Sequence, residues 1–125
     1  MHIDHTTLRT AQLEKTKDFL LKVFELSVGK RPDIIARNIP GYWLYFEDKP
    51  LIHLIESSFY HHSRPDNSSE AIDHTAFYME GYEAFKNKLI MLHIPFSKMD
   101  LPDIGERRLF IQTPTEILLE VVFRA

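Results

Sequence analysis

The tetrapeptide Ile-Asp-His-Thr occurs twice in the chain, at residues 3–6 and again at residues 72–75. Each copy places a histidine at the start of an apolar run, and a later apolar run is interrupted by one polar residue. His53, in Leu-Ile-His-Leu-Ile, follows His5 by 48 residues, and Glu120, in Leu-Leu-Glu-Val-Val, follows His74 by 46 residues. Because two copies of one module would carry these residues to equivalent places, the repeat predicts a metal site built from paired modules.

Hydrophobic periodicity divides the chain into two modules of the same design, each with a strand, a helix and three further strands. In module one (residues 1–56) we predict strands at 3–9, 34–38, 42–47 and 51–56 and a helix at 13–26. In module two (residues 72–125) we predict strands at 73–79, 96–99, 108–112 and 117–123 and a helix at 82–93. Residues 57–71, rich in Ser, His, Pro and Asn, are predicted to be an exposed linker.

Length and composition exclude several classes of protein. A chain of 125 residues predicts one domain. The absence of cysteine excludes disulfides, thiolate catalysis and sulfur-ligated metals, and suits a reducing cytosol, so we expect a cytoplasmic protein. A net charge of −3 without a basic stripe argues against nucleic acid as a partner. No secretion signal and no apolar stretch of roughly 20 residues is present, so we expect no membrane association.

Several short motifs follow one another at consistent spacing along the whole chain. They are Ile-Asp-His-Thr-Thr-Leu-Arg at 3–9, Tyr-Trp-Leu-Tyr at 42–45 leading to Leu-Ile-His-Leu at 51–54, Ile-Asp-His-Thr-Ala-Phe at 72–77, and Arg-Leu-Phe-Ile-Gln-Thr-Pro at 108–114 before Leu-Leu-Glu at 118–120. In this order they resemble the vicinal oxygen chelate superfamily, which contains glyoxalase I, extradiol dioxygenases, fosfomycin resistance proteins and bleomycin-binding proteins. The resemblance implies an α+β fold in which two tandem β-α-β-β-β modules form a curled mixed sheet around a shared cleft, with the helices outside.

The resemblance also implies a divalent metal held by His5, His74 and Glu120. A buried, unpaired carboxylate costs several kcal/mol, so Glu120 should have a cationic partner. His53 stands where glyoxalase I usually has an acidic fourth ligand, and this departure argues against glyoxalase I activity itself. The last hairpin also departs from the family pattern at residues 113–116, which we expect to affect the turn rather than the metal.

Two imidazoles and one carboxylate suit one divalent ion per site, namely Fe, Zn, Ni, Mn or Co. Such an ion acts as a Lewis acid on a small substrate that offers two neighbouring oxygens, and stabilises an enediolate or a catecholate. Iron in the same ligand set can activate dioxygen. His53 is predicted to be either a fourth ligand or a general base, because histidine titrates near neutrality.

Other residues are predicted to surround the metal. Arg9 shares a strand face with His5 and Thr7, and either binds a substrate carboxylate or forms an ion pair. Tyr78 is a candidate catalytic hydrogen-bond donor, with plain packing as the alternative. Candidate substrate-binding residues are Thr7, Arg9, Trp43, Arg108 and Phe110. The aspartates of the two tetrapeptides point away from the histidines and are expected to cap turns or pair with neighbours.

We therefore expect a metal-dependent enzyme of the glyoxalase and extradiol dioxygenase type, a lyase, isomerase or dioxygenase. The resemblance also implies a homodimer. One alternative is a non-catalytic protein that binds small molecules, as the bleomycin-binding relatives do. Another is a metal-free structural or regulatory dimer in which the polar residues only pair with each other.

Overall fold

The structure, a computed structural model, describes residues 1–57 and 68–124. Two compact units make up the chain: residues 5–73 form one, and residues 1–4 together with residues 74–125 form the other. Most of the predicted linker, residues 58–67, lies outside the described residues. Within the described ranges, no helix combines the length and the apolar composition that crossing a bilayer requires.

The unit of residues 5–73 is a layer of strands with helices against it. In chain order its elements are β1 (His2–Thr10, whose first three residues belong to the other unit), α1 (Leu13–Phe24), β2 (Ser27–Gly29), α2 (Asp33–Asn38), β3 (Gly41–Phe46) and β4 (Lys49–Glu56). The strand order is β2-β3-β4-β1, in which β1 and β4 are parallel and the other pairs antiparallel.

The other unit repeats this arrangement. Its elements are β5 (Ala71–Tyr78, whose first three residues belong to the first unit), α3 (Tyr82–Met91), β6 (Ser97–Leu101), a 3₁₀ turn (Pro102–Ile104), β7 (Glu106–Gln112) and β8 (Leu118–Arg124). The order is β5-β8-β7-β6, with β5 and β8 parallel. The predicted α+β fold of two tandem β-α-β-β-β modules is confirmed.

Alternation along the strands separates a core face from a polar face in each unit. Leu44 of β3 and Leu54 of β4 are fully buried and pack with Leu20 of α1. Because successive side chains of a strand point to opposite faces, Trp43 and His53 lie on the other face of the same strands. Burying each of these leucines stabilises the folded state by roughly 1.5–3 kcal/mol. Because the leucines must face the core, the histidine lies on the opposite face of the strand.

The second unit obeys the same rule. Leu109, Val121 and Phe123 pack with Tyr82 and Leu89 of α3 to form its core. Glu120 alternates with Val121 along β8 and therefore points away from the helix. A shift of one residue in register would place the carboxylate in the apolar core, so core packing specifies the position of Glu120.

One predicted strand is wrong: residues 34–38 belong to helix α2, Asp33–Asn38. The β-branched pair Ile34-Ile35 favoured a strand. The structure instead buries Ile35 and leaves Ile34 43% exposed, and Pro32 precedes a first turn that carries Asp33, as suits a helix N-terminus. The second strand of this unit is instead β2 (Ser27–Gly29), which pairs with residues 43–45 of β3.

The aspartate of each Ile-Asp-His-Thr copy pairs with an arginine. Arg9 donates from Nη1 to Asp73 Oδ1 at 3.0 Å, with both side chains almost fully buried, and from Nε to the Ser68 carbonyl at 2.6 Å. In the other unit, Arg124 Nη2 donates to Asp4 Oδ1 at 2.6 Å. The expectation that the aspartates pair with neighbours is confirmed. Arg9 therefore forms an ion pair, which the sequence analysis gave as the alternative to binding a substrate carboxylate.

We predict that Asp73→Asn lowers the free energy of unfolding by about 3 kcal/mol, because it leaves the Arg9 guanidinium buried without its charge partner. Urea denaturation measures the loss. The double variant Arg9→Met/Asp73→Asn should lose less than the sum of the two single variants, since it removes both charges. A loss below about 1 kcal/mol for Asp73→Asn would contradict a structural role for this pair.

Glu70 joins the end of β1 to the start of α1. Its carboxylate accepts a hydrogen bond from the Thr10 hydroxyl at 2.5 Å and one from the Ala11 backbone N–H at 2.8 Å. Thr10 Oγ1 in turn accepts from the Gln12 N–H at 2.9 Å. The hydrogen bond from Thr10, and then that from Ala11, lowers the pKa of Glu70 below its usual value.

A lowered pKa in the folded state means that ionised Glu70 stabilises the fold at neutral pH, and that this contribution is lost as pH falls through the lowered pKa. Glu70→Gln should therefore be less stable than wild type at pH 7, and the difference should shrink in acid. Urea denaturation at pH 7 and at about pH 3 tests this, with Glu80→Gln as an exposed control for the lost charge. An equal difference at both pH values would contradict the role of the ionised carboxylate.

Candidate metal centre

Strand register brings each histidine of the repeat next to the second polar residue of its own module. Thr7, two residues after His5, pairs with His53 between β1 and β4. Ala76, two residues after His74, pairs with Glu120 between β5 and β8. His53 and Glu120 therefore occupy equivalent positions in the two units, as the spacing of the repeat predicted.

His74 and Glu120 contact each other directly. The distance from His74 Nε2 to Glu120 Oε1 is 3.0 Å, and both residues are buried, Glu120 at 1% exposure. Phe110, which pairs with Glu120 across β7 and β8, forms a T-shaped contact with the His74 imidazole, with 5.8 Å between the ring centroids. An imidazole and a carboxylate are thus held together on the polar face of this unit.

Arg108 fixes the other oxygen of Glu120. Its Nη1 donates to Glu120 Oε2 at 3.0 Å, while Nη2 and Nε donate to Glu106 Oε1 at 2.6 and 3.2 Å. Burial by itself would lower the pKa of Arg108, but the charges of Glu120 and Glu106 outweigh it and raise the pKa above its usual value. Glu120 therefore has one oxygen on a permanent cation and the other beside His74.

The ion pairs continue from Arg108 toward the surface. Glu106 Oε2 accepts from Arg124 Nε at 3.1 Å, and Arg124 also binds Asp4. This network was not predicted from the sequence, because the strand predicted at residues 108–112 leaves out Glu106. The observed β7 begins at Glu106, which shares a strand face with Arg108, and β7 forms a hairpin with β8, the strand that carries Glu120.

In the unit of residues 5–73, three aromatic rings form a stack. The His53 ring centroid lies 3.6 Å from the His5 ring centroid, with 18° between their planes, and 4.0 Å from the Trp43 ring centroid, with 12° between planes. All three residues are at most 5% exposed. Trp43 pairs with His53 across β3 and β4, so strand register sets this contact.

The remaining predicted residues have other surroundings. Thr7 is buried at the register position of His53. The Tyr78 ring lies 4.9 Å from the His2 ring and 4.8 Å from the Arg124 guanidinium. In the structure, Tyr78 packs against these two side chains. The role of Tyr78 as a catalytic hydrogen-bond donor stays a prediction.

A cavity of about 710 Å³ lies in the unit that contains His74 and Glu120. Phe110 lines it, together with the ends of β7 and β8 and the segment before β6. Its other lining residues include Ile94, Phe96, Gln112, Pro114 and Leu118. The volume falls within the range of small-molecule sites, and the lining is mainly apolar with a few polar groups, as such sites usually are.

Comparison with known proteins identifies the family. The model of the Glyoxalase/Bleomycin resistance protein/Dioxygenase superfamily matches residues 2–121, nearly the whole chain. The chain belongs to this superfamily. No curated protein matches its sequence.

Solved structures share the superfamily fold at low sequence identity. Methylmalonyl-CoA epimerase from Mycobacterium tuberculosis is 15% identical, with a TM-score of 0.74 over 99% of this chain and 88% of that one. The Streptomyces coelicolor methylmalonyl-CoA epimerase, in complex with 2-nitronate-propionyl-CoA, is 18% identical, with a TM-score of 0.73 over 100% and 95% of the two chains. A hypothetical protein from Bacillus halodurans is 16% identical, with a TM-score of 0.70 over 98% and 94%.

We predict that Arg108→Met destabilises the protein by about 3–5 kcal/mol, because Glu106 and Glu120 would stay buried after losing this guanidinium. Arg107→Met is a matched control, because the Arg107 side chain is 46% exposed. Its guanidinium nitrogens lie 3.5 Å from an Asp100 oxygen and 3.8 Å from a Glu83 oxygen. It should cost at most about 1 kcal/mol. Urea denaturation of both variants measures the difference, and equal losses would contradict the role assigned to Arg108.

Proposed function

We propose that the protein is a metal-dependent enzyme whose divalent ion is bound by His5, His74 and Glu120. Its substrate is a small molecule with two neighbouring oxygens. The observation that carries this proposal is the position of Glu120, which is buried with one oxygen on Arg108 and the other beside His74. A carboxylate held in this way is oriented before any metal binds.

The donor set and the charge around it fit a divalent cation. Two imidazoles and a carboxylate are ligands that zinc, iron, nickel, cobalt and manganese accept, and all three residues are buried. Among the described residues, the ion-pair network that includes Glu120 joins the carboxylates of Asp4, Glu106 and Glu120 to the guanidiniums of Arg108 and Arg124. The Glu120 carboxylate would bring a negative charge to the cation.

When bound, the metal would supply Lewis acidity toward the two substrate oxygens. The side chains of the protein do the rest. Arg108 prevents Glu120 from rotating away, because it binds the oxygen that does not face His74. Phe110 packs against the His74 ring and also lines the cavity, and on this contact we assign the cavity to the part of the substrate that extends beyond the oxygens.

Within this class we favour proton transfer at a carbon next to a carbonyl over dioxygen chemistry. The support is an analogy: the epimerase structures that share the fold are named for a coenzyme A thioester substrate. Coenzyme A thioesters with a second carbonyl oxygen are accordingly the first substrates to test. Catechols and adducts of 2-oxoaldehydes with thiols are the alternatives within the superfamily.

Metal content of the purified protein tests the site. Plasma mass spectrometry should find about one divalent ion per chain in wild type, and that ion should be lost in His74→Ala and in Glu120→Ala. His93→Ala, which removes an exposed histidine, is the matched control and should keep its metal. Absence of metal in wild type after supplementation with each candidate ion would favour the non-catalytic binding protein.

Activity is tested by hydrogen exchange in D₂O. The metal-loaded protein should incorporate deuterium at the carbon between the carbonyls of a malonyl-type coenzyme A thioester, and Glu120→Ala should lower that rate at least about 100-fold. Oxygen uptake with catechols is measured in parallel. Oxygen uptake without hydrogen exchange would instead identify the protein as a dioxygenase. If neither hydrogen exchange nor oxygen uptake is observed with any of the three substrate classes, the enzyme assignment is contradicted.

A further inference from the structure

We propose that His53 acts as a positioning residue that orients the His5 imidazole by ring stacking, and that it is not a fourth metal ligand. The inference rests on the proposed function, because it concerns how His5 is presented to the metal. Of the two roles predicted for His53 from the sequence, this proposal rejects that of a fourth ligand, and it assigns His53 a positioning role that the sequence did not suggest.

The orientation of the two rings carries the argument. A metal bound by an imidazole lies in the plane of that ring, about 2.0–2.1 Å from the nitrogen. The His5 and His53 rings lie face to face, 3.6 Å apart with 18° between their planes. Planes so arranged converge only well beyond the length of a metal–nitrogen bond. His5 and His53 would therefore not both point a ring nitrogen at one ion.

The stack also holds His53 in place. Its second face lies on Trp43 at 4.0 Å with 12° between planes, so both faces of the imidazole are covered by aromatic rings. Trp43 and His53 are register partners on adjacent strands, and Thr7 is the register partner of His53 on the other side. Swinging His53 into a ligating orientation would break both stacks inside a site where each ring is almost fully buried.

The equivalent position in the other unit shows the contrast. Glu120 meets His74 through an oxygen at hydrogen-bond distance, 3.0 Å from Nε2, so the contact joins the two atoms that would bind the ion. His53 meets His5 through its face. The two halves of the repeat thus place polar residues at equivalent positions and use them differently. The coordination position that a fourth ligand would fill stays open for a substrate oxygen.

Two variants separate stacking from ligation. His53→Phe keeps a flat ring and removes both nitrogens, whereas His53→Ala removes the ring. In Co²⁺ titrations, His53→Phe should bind within about 3-fold of wild type with an unchanged visible spectrum, and His53→Ala should bind about 10–100-fold more weakly. Emission from Trp43, the one tryptophan of the chain, reports whether each variant keeps the stack in the metal-free state. Loss of Co²⁺ binding or a changed spectrum in His53→Phe would overturn the inference.

A measurement on the wild-type protein covers the case in which His53→Phe does not fold. In the NMR spectrum of the Co²⁺-loaded protein, each coordinated imidazole gives one strongly shifted, exchangeable N–H signal. Two such signals are expected, from His5 and His74, and a third would overturn the inference. Wild-type protein that binds no Co²⁺ would overturn the proposed function as well, so the two failures are distinguishable.

Discussion

The carboxylate of Glu120 is the group on which the polar architecture of the second unit depends. At 1% exposure it has lost its hydration, and an ionised group in that position needs charged partners or the fold loses several kcal/mol. Arg108 is the charged partner of Glu120 and is itself buried. It also forms an ion pair with Glu106, which in turn binds Arg124. One buried charge thus accounts for a chain of ion pairs that reaches the surface. The oxygen left beside His74 makes the arrangement suitable for a cation.

The Ile-Asp-His-Thr repeat places two kinds of residue on opposite faces of a strand. The aspartates go to one face, where arginines bind them, and the histidines go to the other. This division lets one short motif supply both buried ion pairs and buried imidazoles. The modules differ in what stands opposite each histidine. A carboxylate faces His74, while an imidazole stacks on His5 and is itself backed by Trp43.

Much of this was readable from the sequence, because strand alternation and helix periodicity determine which residues share a face. The repeat spacing located His53 and Glu120 at equivalent register positions for that reason. The strand predicted at residues 34–38 was wrong because tertiary packing overrode the local β propensity. These residues form helix α2, which buries the Ile35 side chain. The Arg108 network and the ring stack were not predicted. Both depend on side-chain rotamers between neighbouring strands, and neither periodicity nor spacing encodes those.

We propose that one divalent ion is bound by His5, His74 and Glu120, with His53 outside its coordination shell. A crystal structure of the Co²⁺-loaded protein, with anomalous diffraction recorded at the cobalt edge, is the sharpest test of this proposal. We expect one anomalous peak per site, about 2.0–2.2 Å from a nitrogen of each of the two histidines and from an oxygen of Glu120. A peak bonded to His53, or no peak at these residues in protein that binds cobalt, would contradict it.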